Sequence, residues 1–194
     1  MTLNQPGIYH IYNRGNNQQM IFFTPENYIY FLKKCHKYIK PYCDVLAWCL
    51  MPNHFHFLTY ISEKSLTPVK SGGIIMPVIT NGFRLLQSSY AKGINKQFNR
   101  SGNLFQQKTK SKLVNGEDNY AITAFHYIHQ NPVAASLAKM PEEWEYSSYR
   151  DYTGVRNGTL CDKQKAITLL SLSQIDLTRE TMAAISNEKV KELY

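Results

Sequence analysis

No apolar run in this 194-residue chain approaches the roughly 20 residues that a membrane helix needs. The first seven residues are polar and lack the charged-then-apolar pattern of an export signal, so a cytoplasmic protein is expected. Cys35, Cys43, Cys49 and Cys161 form no Cys-x-x-Cys pair, which argues against a zinc knuckle, and three of the four sit in apolar stretches as core thiols do. There is no internal repeat and no low-complexity tract. Acidic side chains are the scarce charge: 14 Asp and Glu stand against 22 Lys and Arg, a net charge of +8. A surplus of that sign suits a polyanionic partner, because neutralised phosphates release their counterions. The length fits one domain with a sizeable core and room for an appended element.

What is present reads as alternating strands and helices. Residues 8–14 have the aromatic and β-branched character of a strand, ended by Gly15. Thr24 offers a helix N-cap and Pro25 fits the first helical position. Tyr28, Phe31, Leu32, Cys35, Tyr38 and Ile39 then recur at helical spacing up to Pro41. Asp44–Leu50 and His54–Ile61 read as two strands of a hairpin, and residues 62–76 as a polar loop. A second helix is predicted from about Val78 to Phe98, and an extended segment from Leu104 to Val114. A third helix is predicted from near Gly116–Asp118 to Asn131, the residue before Pro132 being steered away from helix. Residues 162–193 suggest one or two short helices. The expectation is an α+β sandwich, helices on one face of an antiparallel sheet, with a C-terminal helical tail. Residues 1–154 would form the main domain and 155–194 an extension.

Met51-Pro52-Asn53-His54-Phe55-His56-Phe57-Leu58 carries the most chemistry. Side chains alternate along a strand, so His54 and His56 share one face while Phe55 and Phe57 point to the other. Two imidazoles about 7 Å apart along a strand can converge on one cation. The phenylalanines, packed under helices, would hold that strand rigid. A His-x-His on a half-exposed strand also arises by chance, and His36, His126 and His129 show that histidine is not scarce. Two ligands leave a shell incomplete.

The third helix can complete it. Ala121, Ala124, Phe125 and Ile128 form its apolar stripe, and Tyr127 and Asn131, four residues apart, project together from the flank. Tyr127 could attack phosphorus while Asn131 supplies an oxygen ligand. A phenol is a poor nucleophile at its ordinary pKa near 10, so a cation that stabilises the developing charge would help it. With 14 tyrosines in the chain, spacing alone does not choose between Tyr127 and Tyr120, which projects from nearly the same side.

Taken in order, these segments resemble the IS200/IS605-like transposase family, most closely its REP-associated tyrosine transposases. Tyr9-His10-Ile11-Tyr12-Asn13-Arg14-Gly15-Asn16-Asn17 resembles the family's opening strand and Met51–His56 its His-hydrophobic-His motif. Residues 99–106 resemble the segment after its second helix. Tyr127-Ile128-His129-Gln130-Asn131-Pro132-Val133 and Trp144–Tyr149 resemble its last two motifs. The likeness spans about residues 7–154. It implies a ferredoxin-like or RNA-recognition-like sandwich that cleaves single-stranded DNA to a 5′-phosphotyrosine and a free 3′-OH, then rejoins it. It further implies Tyr127 as nucleophile and His54, His56 and Asn131 as ligands of Mg²⁺ or Mn²⁺, whereas imidazoles alone would point to Zn²⁺ or Mn²⁺. A homodimer acting on hairpin-bearing single strands is expected, with no membrane and no nucleotide cofactor. Two departures stand out. Gln106-Gln107-Lys108-Thr109-Lys110 lacks the Gly-Arg often found there, and the segment after residue 155 matches no named element.

Single strands are held by basic side chains and by bases stacked on aromatics. Arg14, Lys92, Lys96, Arg100, Lys108, Lys110 and Lys112 are the candidate DNA contacts, though each alone reads equally as a solvated charge. Two other functions compete. One is a non-mobile DNA-hairpin binder that has kept the fold; the other is a relaxase or replication initiator, against which the small size and lack of a helicase region argue.

Overall fold

The computed structural model describes residues 1–114, 120–172, 177–183 and 190. Its main sheet is antiparallel, built from β1 (Gly7–Arg14), β2 (Asp44–Met51), β3 (His54–Ile61) and β6 (Lys110–Leu113) in the order β2-β3-β1-β6. Helix α1 (Pro25–Tyr38) links β1 to β2, and α2 (Val78–Gln97) lies between β3 and β6. Strand for strand this is the βαββαβ ferredoxin-like arrangement, the α+β sandwich expected from the sequence. Helix α3 (Tyr120–Ala134) follows, then the short α4 (Tyr149–Tyr152), α5 (Lys163–Leu170) and α6 (Leu177–Met182). No helix among the described residues is long and apolar enough to cross a membrane.

Strand alternation divides the sheet chemically. Tyr9 and Ile11 of β1, Trp48 and Leu50 of β2, and Phe55, Phe57 and Ile61 of β3 form one apolar face, covered by Phe31 and Cys35 of α1 and by Phe83, Leu86 and Tyr90 of α2. The two phenylalanines flanking His56 are both wholly buried there, Phe55 against Phe31 and Phe57 against Phe83. The opposite face carries Leu58, Ala47, Cys49 and Met51, on which Ala124, Phe125 and Ile128 of α3 pack together with α5. The helical layer is thus split: α1 and α2 lie on one face, and α3 on the other, where a one-face arrangement was expected. Three apolar residues at helical spacing on α3 need a sheet surface of their own, and α1 and α2 already fill the first.

Several local features set the site's frame. The Asn27 carboxamide accepts from the backbone amides of Phe23 and Thr24, closing the start of α1. The β2–β3 turn at Pro52–Asn53 is strapped by residues 15–22: the Gly15 amide donates to Asn53 O at 2.7 Å, and the Ile21 and Phe22 amides to Pro52 O at 2.8 and 3.1 Å. Gly15 is obligatory there, because a Cβ would meet Gln19 O at 2.0 Å.

Three local expectations are corrected. Residues 62–76 are not only loop: β4 (Pro68–Ser71) and β5 (Ile74–Pro77) pair as a hairpin about Gly72 and Gly73, whose φ of +60° and +82° suit a tight turn. The extended segment 104–114 forms a ladder with β1 only over β6, with an isolated bridge from Phe105 to Gly15 just past the strand. Helix α3 runs past Asn131 through Pro132 to Ala134. Pro132 is buried, so packing overrides the bias against helix that a proline imposes on its predecessor. The start expected for that helix, at residues 116–118, lies outside the described residues.

The outer edge of β2 is covered by the chain after α3. The Leu50 amide donates to Tyr146 O, the Ser148 amide to Trp48 O and the Asp162 amide to Val45 O, at 2.8–2.9 Å. Buried Asp151 anchors this cover through Arg156, 2.6 Å away. Described residues beyond 154 therefore join the main layers, Leu160 on one side and Ala166 and Leu170 on the other.

Candidate active site

The α3-covered face of the sheet is not apolar along its whole length. Towards the ends of β1 and β3 it carries His10, Tyr12 and Arg14 opposite Leu58, His56 and His54. Lys110 of β6 stands beside Tyr12 on the same face. Helix α3 crosses above and lowers Tyr127 and Asn131 towards them. The result is a pocket of about 330 Å³ whose lining includes Tyr12, Arg14, His54, His56, Lys110, Tyr127 and Asn131. The tyrosine lining it from α3 is Tyr127 and not Tyr120.

The two imidazoles are held as neutral bases. Burial pulls the pKa of His54 down to about 4, a hydrogen bond that Asn131 would accept from the protonated ring acts in the opposite sense, and the nearby Arg14 charge lowers it again. His56 is wholly buried and held well below the ordinary histidine range, by burial first and then by His10 and His54. Neutral imidazoles keep a lone pair for a ligand without first losing a proton. His54 Nδ1 lies 2.6 Å from Asn53 Oδ1, an acceptor, so Nδ1 donates and Nε2 carries the lone pair. Asn131 Nδ2 donates to Tyr127 O at 2.9 Å, which leaves the carboxamide oxygen as the end able to face His54. Among the described residues no group of three or more His, Cys, Asp and Glu side chains is arranged to hold a metal. The donors available to a cation here are two neutral imidazole nitrogens and an amide oxygen, a set whose chemistry fits Mn²⁺ and leaves positions for phosphate oxygens.

The phenol of Tyr127 is half-buried, and its ring meets that of His56 edge-on at 5.8 Å between centroids and that of His10 at 6.3 Å. Tyr12 is a second phenol at the pocket, with its pKa raised by burial and by Tyr127. Arg14 brings a guanidinium whose buried Nε has no hydrogen-bond partner among the described residues. The Lys110 ammonium sits 5.8 Å from the Tyr12 ring centroid. No carboxylate lines the pocket among the described residues. A pocket of this sign, with a phenol beside two imidazoles, favours an anionic group over a cationic or apolar one.

No family model and no curated protein matches this chain. Among solved structures it is similar to that of a REP-associated tyrosine transposase bound to a REP hairpin, at a TM-score of 0.56 and 14% identity, over 84% of this chain and 92% of that one. The two proteins share a fold. That is the fold the ordered motifs implied.

The remaining basic candidates divide by position. Lys92 and Lys108 line a separate cleft of about 610 Å³ together with Arg84, between α2 and the segment leading to β6. Arg100 is bound to Gln19 and lies over the Phe23 ring. Lys96 is exposed on the last turn of α2, and Lys112 on the same face as Lys110, outside the pocket lining. His126 and His129 serve the other flank of α3, bonded to Thr181 and Ser148, both at 2.8 Å. His10 and Tyr12 were missed as site residues. Their i, i+2 alternation on β1 repeats that of His54 and His56, but only the cross-strand register puts the two pairs together.

Proposed function

We propose that this chain is a divalent-metal-dependent DNA transposase that nicks and rejoins hairpin-bearing single strands through a 5′-phosphotyrosine on Tyr127. The observation that carries this reading is the meeting of Tyr127 and Asn131 from α3 with His54 and His56 from β3 in one pocket of one chain. The ordered motifs and the shared fold add support. His54, His56 and Asn131 would hold the cation, which when bound polarises the scissile phosphoryl oxygen and offsets charge in the transition state. The Tyr127 oxygen attacks phosphorus, its proton passing to solvent, while the P–O3′ bond breaks and the leaving O3′ takes up a proton. One phosphodiester becomes one phosphotyrosine ester and one 3′-OH. Because the ester is conserved, an incoming 3′-OH can reverse the step with no nucleotide cofactor. Arg14 and Lys110 receive the non-bridging oxygens of the phosphodiester. Tyr127 would act in the pocket of its own chain, where it stands beside His54 and His56, and a homodimer would hold two DNA ends.

The test is incubation of the protein with hairpin-bearing single-stranded oligonucleotides and Mn²⁺, followed by a denaturing gel. A covalent protein–DNA band, lost on chelation and absent from Tyr127→Phe, is the expected result. Tight binding with no band across varied hairpins would replace the enzyme by a non-mobile hairpin binder.

A further inference from the structure

The His10 and His56 rings lie 2.8 Å apart between His10 Nε2 and His56 Nδ1, both wholly buried or nearly so. Their centroids are 5.0 Å apart and their planes differ by 21°. At that separation the rings are edge to edge in nearly a common plane, which is the geometry of an N–H···N hydrogen bond and not of face-to-face stacking. Such a bond holds one proton, and its polarity decides what His56 offers the pocket. If His56 Nδ1 donates, Nε2 keeps its lone pair and can bind a cation. If His10 Nε2 donates instead, the neutral His56 carries its proton on Nε2 and cannot.

We infer that His10 is a positioning residue: it accepts from His56 Nδ1–H, and so fixes the tautomer and ring direction that aim Nε2 at the pocket. This rests on the reading of His56 as a cation ligand. Ligating histidines commonly donate their second nitrogen to a carboxylate, a carbonyl or water, and these partners matter nearly as much as the ligands themselves. Here a neutral imidazole takes that place. It orients His56 as a carboxylate would, without adding negative charge to a pocket whose lining has no Asp or Glu among the described residues. That choice suits a site which must admit a phosphodiester. His10 in turn is held from its other neighbours on the sheet, with the Tyr12 ring 4.9 Å away at 28°. It shares the face of His56 because β1 and β3 pair with Tyr12 opposite His56 and His10 two residues further along.

The experiment uses the full chain without DNA. Long-range ¹H–¹⁵N spectra report the His56 tautomer, and calorimetric titration with Mn²⁺ reports the affinity. Wild-type protein is expected to show His56 protonated on Nδ1. His10→Leu, which removes the acceptor, should weaken Mn²⁺ binding by roughly 10–100-fold, and His10→Gln, which keeps an acceptor, should recover most of that loss. Wild-type His56 protonated on Nε2, or His10→Gln losing as much affinity as His10→Leu, overturns the inference; the wild-type tautomer decides even if His10→Leu fails to fold. A protein that binds Mn²⁺ with the expected tautomer yet forms no DNA adduct keeps His10 in this role and loses the nuclease. A wild-type protein that binds no Mn²⁺ overturns both.

Discussion

Two phenols reach the pocket, and their surroundings separate them. Tyr12 is nearly buried in the sheet, and burial raises its pKa, which opposes the phenolate that attack on phosphorus needs. Tyr127 stands on the overlying helix, half-exposed, where a backbone phosphate can approach. Tyr12→Phe should therefore keep adduct formation within a few-fold of wild type, whereas Tyr127→Phe should reduce it to background, as read by gel quantification. Single-residue chemistry was legible where it depended on one element. The alternation His54-Phe55-His56-Phe57 declared its two faces, and the i, i+4 pair Tyr127 and Asn131 its common flank. What depended on register was not legible. Nothing in the sequence of β1 alone says that Tyr12 falls opposite His56 or that His10 reaches it. Arg14 and Lys110 differ from the other basic candidates for the same reason, since pairing of β1 with β3 and β6 places both at the pocket. Removing either should lower the slope of log affinity against log salt by roughly 0.7 for single-stranded DNA, measured by anisotropy. Lys96→Ala, on the far end of α2, should leave it unchanged.

At the scale of elements, the strap of residues 15–22 over the Pro52–Asn53 turn fixes where β3 begins and hence where His54 stands. Gly15→Ala forces a Cβ into Gln19 O. The expected outcome is a loss of about 1–3 kcal/mol in urea denaturation, with Mn²⁺ affinity reduced because the strap holds the turn before His54. Long elements with strong periodicity read correctly from sequence: β1, α1, the β2–β3 hairpin and α2 all lie within a residue or two of their expected bounds. The departures have local causes. Gly72 and Gly73 suit a loop and a hairpin turn alike, and the short flanking strands are only half-buried or exposed, so they carry no clear alternation. Pro132 disfavours helix at the residue before it, yet tertiary burial carries α3 two residues beyond it.

The whole molecule is sensitive to acid through its buried histidines. His129 is wholly buried against Ser148, and burial takes its pKa down to about 3, while burial also lowers His54 to about 4. In the unfolded chain both return to about 6.5. The unfolded state thus binds more protons between those values, and stability is full above pH 6.5 and falls as pH drops towards 3. One such group contributes a slope of roughly 1.4 kcal/mol per pH unit at most within that window. Urea midpoints taken from pH 7 to pH 4 should decline, and His129→Gln should flatten that decline while lowering the midpoint at pH 7. The packing of residues 155–172 on β2 was also beyond the sequence, because their partners on that strand lie more than a hundred residues earlier in the chain.

The most direct measurement is to trap the covalent protein–DNA complex, digest it and locate the nucleotide-bearing peptide by mass spectrometry. The expected attachment is a phosphotyrosine at Tyr127. Attachment at Tyr12 or Tyr120, or no attachment to any tyrosine under conditions where the DNA is cut, would contradict the assignment of the pocket.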